Sequence, residues 1–251
     1  MGSKTPSRVR IPLSPPPQPN APVAQLDRVP GYEPGGREFE SLRARHFQIT
    51  PMPKNIIFDF GGVLINWDPN HVYRQYFSNE AEITQFYTET AIFELNKDLD
   101  KGLAFDTGLQ KLAEQFPHYQ EPIFFWRDRW TDMIRGPIFE TVAILKQLYG
   151  QGYPLYGLTN WSAETFPYVL NKYEFFKYFK DIVVSGKEGV IKPDLDIFHI
   201  LLERNNLIPE DCIFIDDNLH NLNTAKAIGM ATIHFQSAEN LSEHLQALLS
   251  A

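Results

Sequence analysis

Several polar residues stand where apolar runs of the sequence stop. Asp59 ends NIIFD (55–59), Thr159 and Asn160 close YPLYGLTN (153–160), Lys192 lies in the turn GVIKP (189–193), and Asp216 with Asp217 ends CIFIDD (212–217). A carboxylate such as Asp59 can attack phosphorus, giving an aspartyl phosphate that water hydrolyses in a second step. Approach to a phosphate dianion requires neutralisation. Asp59 and Asp217 could supply it by holding Mg²⁺ through oxygen ligands, with Asp216 either a further ligand or a support behind them. Lys192 adds a fixed positive charge, and the Thr159 hydroxyl and Asn160 main-chain N–H could donate to phosphoryl oxygens as charge builds there. Gly61 and Gly62 let the backbone turn tightly and approach a ligand closely. Taken singly, each residue has an ordinary explanation: Asp or Thr-Asn after a strand forms turns and helix caps, and a lone lysine is usually solvated.

Such residues converge only if the elements before them share one sheet. NIIFD is too short for a helix and is followed by Gly-Gly, so it reads as a buried strand. PIFETVAILKQLYG (137–150) places Ile138, Val142, Leu145 and Leu148 at helical spacing, with Pro137 as start and Gly150 as stop. Strands then follow from Tyr153, Asp181, Cys212 and Ala231, alternating with helices over 162–171, 194–205, 221–228 and 239–249. Alternation of this kind predicts an α/β fold, a doubly wound and mostly parallel sheet with helices on both faces. Ligands of such sheets bind outside the carboxyl ends of the strands, where all the candidates lie. The alternation breaks between Trp67 and Arg135, where NHVYRQYF, LQKLAEQF and PIFFWRDRWTDMI read as helices and no strand is evident. The expected organisation is therefore a core of 54–67 with 136–251 and an inserted helical cap of 68–135, placed to act as a lid.

In order, DFGGVL (59–64), LTN (158–160), IKP (191–193) and FIDDN (214–218) resemble the motifs of the haloacid dehalogenase superfamily of hydrolases, in the branch whose helical cap follows the first motif. The resemblance spans about 54–249. LTNWSAETFP (158–167) and GVIKP are especially similar to members described as phosphatases or haloacid dehalogenase-like hydrolases. It implies Asp59 as nucleophile, Thr159, Asn160 and Lys192 as phosphate-binding residues, and Mg²⁺ held by Asp59, Asp217 and the main-chain carbonyl of Gly61. One departure stands out. Phosphatases of this superfamily usually carry a second Asp two residues after the nucleophile, as acid for the leaving group, and here that position is Gly61. Loss of a general acid costs about 10²- to 10⁴-fold. Some members, including sugar-1-phosphatases, resemble this chain in having Gly there, and an anomeric oxygen needs protonation less. Asp68 and His71 are candidate substitutes, each equally explicable as a helix cap or a surface histidine.

The expected activity is hydrolysis of small phosphorylated metabolites, sugar phosphates among them. A 2-haloacid dehalogenase is the alternative: it needs no leaving-group acid, but it also needs no metal, and the acids at 216 and 217 would then repel Asp59. A phosphate-binding module without catalysis is a third reading. A net charge of −8 leaves no broad basic footprint for nucleic acid or an anionic membrane. The single cysteine, Cys212, allows neither an intramolecular disulfide nor a thiolate metal cluster and reads as a small buried hydrophobe. No apolar run approaches the roughly 18 residues of a membrane span, and no signal-peptide core is evident, so a cytoplasmic location is expected.

Residues 1–53 differ in kind. SPPPQP (14–19) and the lack of apolar periodicity predict disorder. VAQLDRVPGYEPGGREFESLRAR (23–45) resembles a transfer-RNA gene translated in one frame, which implies translation starting at Met52; a genuine flexible extension is the other reading.

Overall fold

A computed structural model describes residues 54–250, so the expectations for 1–53 lie outside the described residues. The order begins β1 (Asn55–Phe58), β2 (Ile65–Trp67), α1 (Asn70–Tyr73), α2 (Glu80–Thr90), α3 (Ile92–Asp100), α4 (Phe105–Gln115), α5 (Gln120–Asp128) and β3 (Ile134–Pro137). It continues α6 (Phe139–Gly150), β4 (Leu155–Thr159), α7 (Phe166–Lys172), β5 (Asp181–Val184), α8 (Ser185–Glu188), α9 (Leu195–Asn205), β6 (Cys212–Asp216), α10 (Leu219–Ala227), β7 (Ala231–His234) and α11 (Ala238–Leu249).

The main sheet is parallel throughout and runs β5-β4-β1-β6-β7. Alternate residues of its strands feed opposite cores, as a period of two requires. Ile56 and Phe58 of β1 enter one cluster with Leu145 of α6 and Leu241 of α11, whereas Ile57 joins Phe198 of α9 and Leu222 of α10 in the other. The sheet is thus wound on both faces, as the alternation of segments predicts. Cys212 is buried in the second cluster, and burial pushes its thiol up to about 12.

β1 sits centrally, and the chain passes to β4 and β5 on one side before crossing to β6 and β7 on the other. The order therefore reverses beside β1, and a crevice forms where the strand ends part. The register pairs Phe58 with Ile215, which brings the following residues, Asp59 and Asp216, to the same level.

The stretch after Trp67 holds α1 to α5, but one expectation there is corrected. Ile134 and Arg135 open β3, which pairs antiparallel with β2 and ties the two ends of the helical stretch together. IRGP is too short to show alternation, and its pairing is remote in sequence. For the same reason Pro137 does not start a helix: it ends β3, and α6 begins at Phe139. The helix expected from Ser162 begins at Phe166 because Ser162 Oγ accepts from Glu164 N–H and holds a turn. Among the described residues no helix is long and apolar enough to cross a membrane.

Candidate active site

Asp59 follows β1 directly. Its main-chain N–H continues the ladder to Ile215 O (2.9 Å), and its Oδ1 accepts from the N–H of Phe60 (2.7 Å), which fixes the carboxylate at the strand tip. Phe60 is fully buried, packed on Phe166, Phe176 and Phe179 and against the face of β4 left bare by Gly157. Its carbonyl accepts from Leu64 and Ile65 N–H at 2.9 and 2.8 Å, closing the Gly-Gly turn into β2.

Lys192 is 3% exposed, and its Nζ stands 2.9 Å from Asp59 Oδ1 and 2.7 Å from Asp216 Oδ2 while donating to Leu158 O. Burial works against its charge, but Asp59 and Asp216 outweigh it and raise the ammonium above its usual range. Asp216 is wholly buried and also accepts from Asn218 N–H and from the Asn221 amide on both oxygens. With its oxygens so occupied it serves as the anchor of Lys192. The Asn160 side chain holds the same lysine from the other side, its Nδ2 donating to Lys192 O and its Oδ1 accepting from Lys192 N–H. Asn160 therefore positions Lys192 and leaves its own main-chain N–H for another partner. Thr159 is completely buried, yet its hydroxyl has no hydrogen-bond partner among the described residues. An unsatisfied buried hydroxyl costs about 1–3 kcal/mol, so one at a strand end marks a place where a ligand oxygen would be welcome.

Carboxylate oxygens of Asp59, Asp216 and Asp217 all lie within 4.8 Å of one another. Burial pushes the Asp59 carboxyl up to about 7, with Lys192 opposing the rise and Asp216 and Asp217 adding to it. Asp217 is raised as well, by partial burial first and then by Asp216. Asp59 and Asp217 offer oxygens of the kind a hard divalent cation takes, and a cation there would relieve the crowded charge.

These groups line a cavity of about 280 Å³, in which Lys192 is the one cation among the lining residues. Gly61, Trp67 and Asn160 also border a second, smaller cavity of about 90 Å³, closed by Asn96, Asp100, Trp130 and Trp161. Asn96 and Asp100 lie one turn apart on α3 and so share a face. Asp68 and His71 line neither cavity. Asp68 pairs with Arg74 at 3.7 Å, and His71 Nε2 lies 2.6 Å from Arg135 Nη1. The structure thus brings Asp59, Asn160, Lys192, Asp216 and Asp217 together, with Thr159 buried next to Asn160 at the end of β4 and lining neither cavity, and Asp68 and His71 stand apart.

Asn218, Asn221, Asn96 and Asp100 escape a reading by strand ends. For the first two a signal exists: the buried Asp216 needs donors, and amides in the first turn of the next helix are the nearest source. For the α3 pair none does, because ELNKDLD offers several polar residues with nothing to mark the inward face.

A family model described as haloacid dehalogenase-like hydrolase matches residues 53–229. A sesquiterpene phosphatase, astK of Aspergillus oryzae, is 30% identical over 72% of this chain and 89% of its own length. A D-ribitol-5-phosphate phosphatase of Bacteroides thetaiotaomicron is 23% identical over 80% of this chain and 100% of its own. Among solved structures, an enzyme of the same superfamily from Bacteroides thetaiotaomicron, in complex with magnesium and inorganic phosphate, superposes with a TM-score of 0.58 at 21% identity, covering 72% of this chain and 93% of that one. On the strength of the family match, which spans most of the fold described above, the chain belongs to the haloacid dehalogenase-like hydrolases.

Proposed function

We propose that the protein is a Mg²⁺-dependent phosphatase of small phosphorylated metabolites, with Asp59 as nucleophile. The observation that carries this reading is the convergence on one cavity of Asp59, the buried ammonium of Lys192 and the Asp217 carboxylate. Asp59 attacks phosphorus and forms an aspartyl phosphate, which water then cleaves. Lys192, Thr159 Oγ1 and the Asn160 N–H hold the three phosphoryl oxygens and stabilise their charge in the transition state. Mg²⁺, held by Asp59, Asp217 and the Gly61 carbonyl, would neutralise phosphate and nucleophile together. Asp216 keeps Lys192 in place.

In this reading residues 68–135 form a cap over a core of 54–67 and 136–251. The cap supplies Asn96, Asp100 and Trp130 to the small cavity, where the leaving alcohol sits. Three indoles with a few polar groups suit an alcohol that has an apolar face and hydroxyls, as a sugar does. The likeness to a sesquiterpene phosphatase adds apolar alcohols to the classes worth testing.

The test is phosphate release from a panel of sugar, polyol, nucleoside and isoprenoid phosphates, with and without Mg²⁺. Metal-dependent release from at least one class is expected. Phosphate binding without release would turn the reading to a binding module, and halide release from 2-haloacids in excess chelator would turn it to a dehalogenase.

A further inference from the structure

Gly61 leaves the leaving group without the usual acid, and the structure shows what stands in that space. A Cβ added at Gly61 would meet nothing within 4 Å, so the volume a side chain at 61 would enter is open. Gly61 borders the small cavity, and Asp100 is the one carboxylate among the residues lining that cavity. We propose that Asp100, at the end of α3, is the catalytic acid and base of the reaction, delivered by the helical segment in place of the residue that position 61 lacks. The inference rests on the phosphatase reading above.

Three features fit Asp100 to this task. It is held firmly: Asn96 Nδ2 donates to Asp100 Oδ2 at 2.8 Å, and Asn96 is itself fixed by Trp126 Nε1, which donates to its Oδ1 at 2.8 Å. It is anchored to the sheet: Ser185, buried after β5, donates through Oγ to the Asp100 carbonyl at 2.5 Å and accepts from Trp161 N–H. It is also suited to holding a proton. Burial raises its carboxyl to about 7 against donation from the Ser162 N–H and the Asn96 amide, and of the charged groups facing it, Asp59 adds to the rise while Lys192 opposes it.

The step balances. As Asp59 Oδ forms its bond to phosphorus, the bond from phosphorus to the ester oxygen breaks and the Asp100 carboxyl proton passes to that oxygen, releasing the alcohol. The Asp100 carboxylate then takes a proton from water while the water oxygen bonds to phosphorus and the acyl phosphate bond to Asp59 breaks. Inorganic phosphate leaves, and both carboxyls return to their starting states.

The same contacts would exist if Asp100 only clamped α3 to the loop after β4, and the leaving group separates the two roles. Full-length wild type, Asp100→Asn and Asp100→Glu are assayed with Mg²⁺ on an aryl phosphate and on a primary alkyl phosphate, with melting temperatures taken alongside. Asp100→Asn is expected to lower kcat/KM, which reports the steps up to alcohol release, by about 10²- to 10⁴-fold on the alkyl ester and to leave kcat/KM on the aryl ester, whose leaving group needs no proton, nearly unchanged, while kcat falls on both esters through loss of the base. Asp100→Glu keeps a carboxyl and should recover part of the alkyl rate. An equal loss of kcat/KM on both esters, no loss on either, or an Asp100→Glu variant as impaired as Asp100→Asn on the alkyl ester would overturn the assignment. A wild type that releases phosphate from neither ester would overturn the phosphatase reading and this inference with it, whereas differences among the variants bear on Asp100 alone.

Discussion

On the sheet side of the site, Lys192, Asp216 and Asn221, all buried, hold one another through hydrogen bonds of 2.7 to 3.1 Å. On the helical side, order comes from rings: Tyr73 packs on Phe86 at 5.0 Å between centroids, and Trp126 meets Phe93 at 5.3 Å and Trp67 at 5.8 Å. The first is directional and intolerant, because each buried charge depends on its partners. The second spreads its stabilisation over many weak contacts and tolerates change of size and shape. A site built this way can hold its sheet wall constant while its helical wall varies.

The sharpest break of the sheet side is Asp59→Asn. The amide is nearly isosteric but is not a nucleophile, so turnover should fall by at least about 10³-fold with the circular dichroism spectrum unchanged. Retention of more than a few per cent of the rate would remove Asp59 from its role. Lys192→Met tests the network instead. It strands Asp216, which has no exposure to solvent, so stability should drop by about 3–5 kcal/mol in urea unfolding. A loss below about 1 kcal/mol would mean the charges on this side are no more interdependent than surface pairs.

The same contrast decides what could be read from the sequence. Asp59, Thr159, Lys192 and Asp216 end apolar runs or stand in a turn before a helix, and parallel topology carries strand ends to one crevice whatever the details of packing. The double winding was equally readable, because buried parallel strands are short apolar runs broken by amphipathic helices. Asn96 and Asp100 were not, since their direction depends on how α3 rolls against Trp126 and Ser185, contacts set by residues far away in sequence. β3 was hidden for a related reason: IRGP becomes a strand only through its pairing with β2. Asp68 and His71 looked near to Asp59 along the chain, but Asp68, just before α1, pairs with Arg74, and His71, on α1, meets Arg135.

Metal and pH sharpen the comparison further, because a cation held by Asp59 and Asp217 would act on the sheet side alone. Asp59 is raised from 3.8 to about 7 by burial, so in metal-free protein the folded state holds this proton more tightly than the unfolded chain does. That contribution to stability is complete below the ordinary carboxylate range and is lost as pH rises through about 7. Between pH 5.5 and 7.5 the melting temperature of chelator-treated protein should therefore fall. Binding of Mg²⁺ requires the ionised carboxylate, so the rise in melting temperature on adding Mg²⁺ should grow over the same interval. A Mg²⁺ effect equally large at pH 5.5 and 7.5 would place the cation elsewhere.

The smallest effects come from two adjacent glycines that face the two walls. Gly62 has φ +74°, a conformation that costs an L residue roughly 1–2 kcal/mol, and a Cβ there would overlap Asp217 Oδ2. Gly62→Ala should thus lower stability by about that amount, and it should also weaken Mg²⁺ affinity, because the Asp217 carboxylate must swing away from Asp59. Gly61 lacks both constraints. Its φ lies outside the left-handed region, and a Cβ there would meet nothing within 4 Å. Gly61→Ala should leave stability within about 0.5 kcal/mol of wild type and Mg²⁺ affinity unchanged, while raising KM for bulky alcohols whose leaving oxygen approaches Gly61. Isothermal titration with Mg²⁺ and thermal melts of the two variants measure the difference directly. Equal losses of metal affinity in both would show that the two walls are mechanically one, and the division of labour between them would fail.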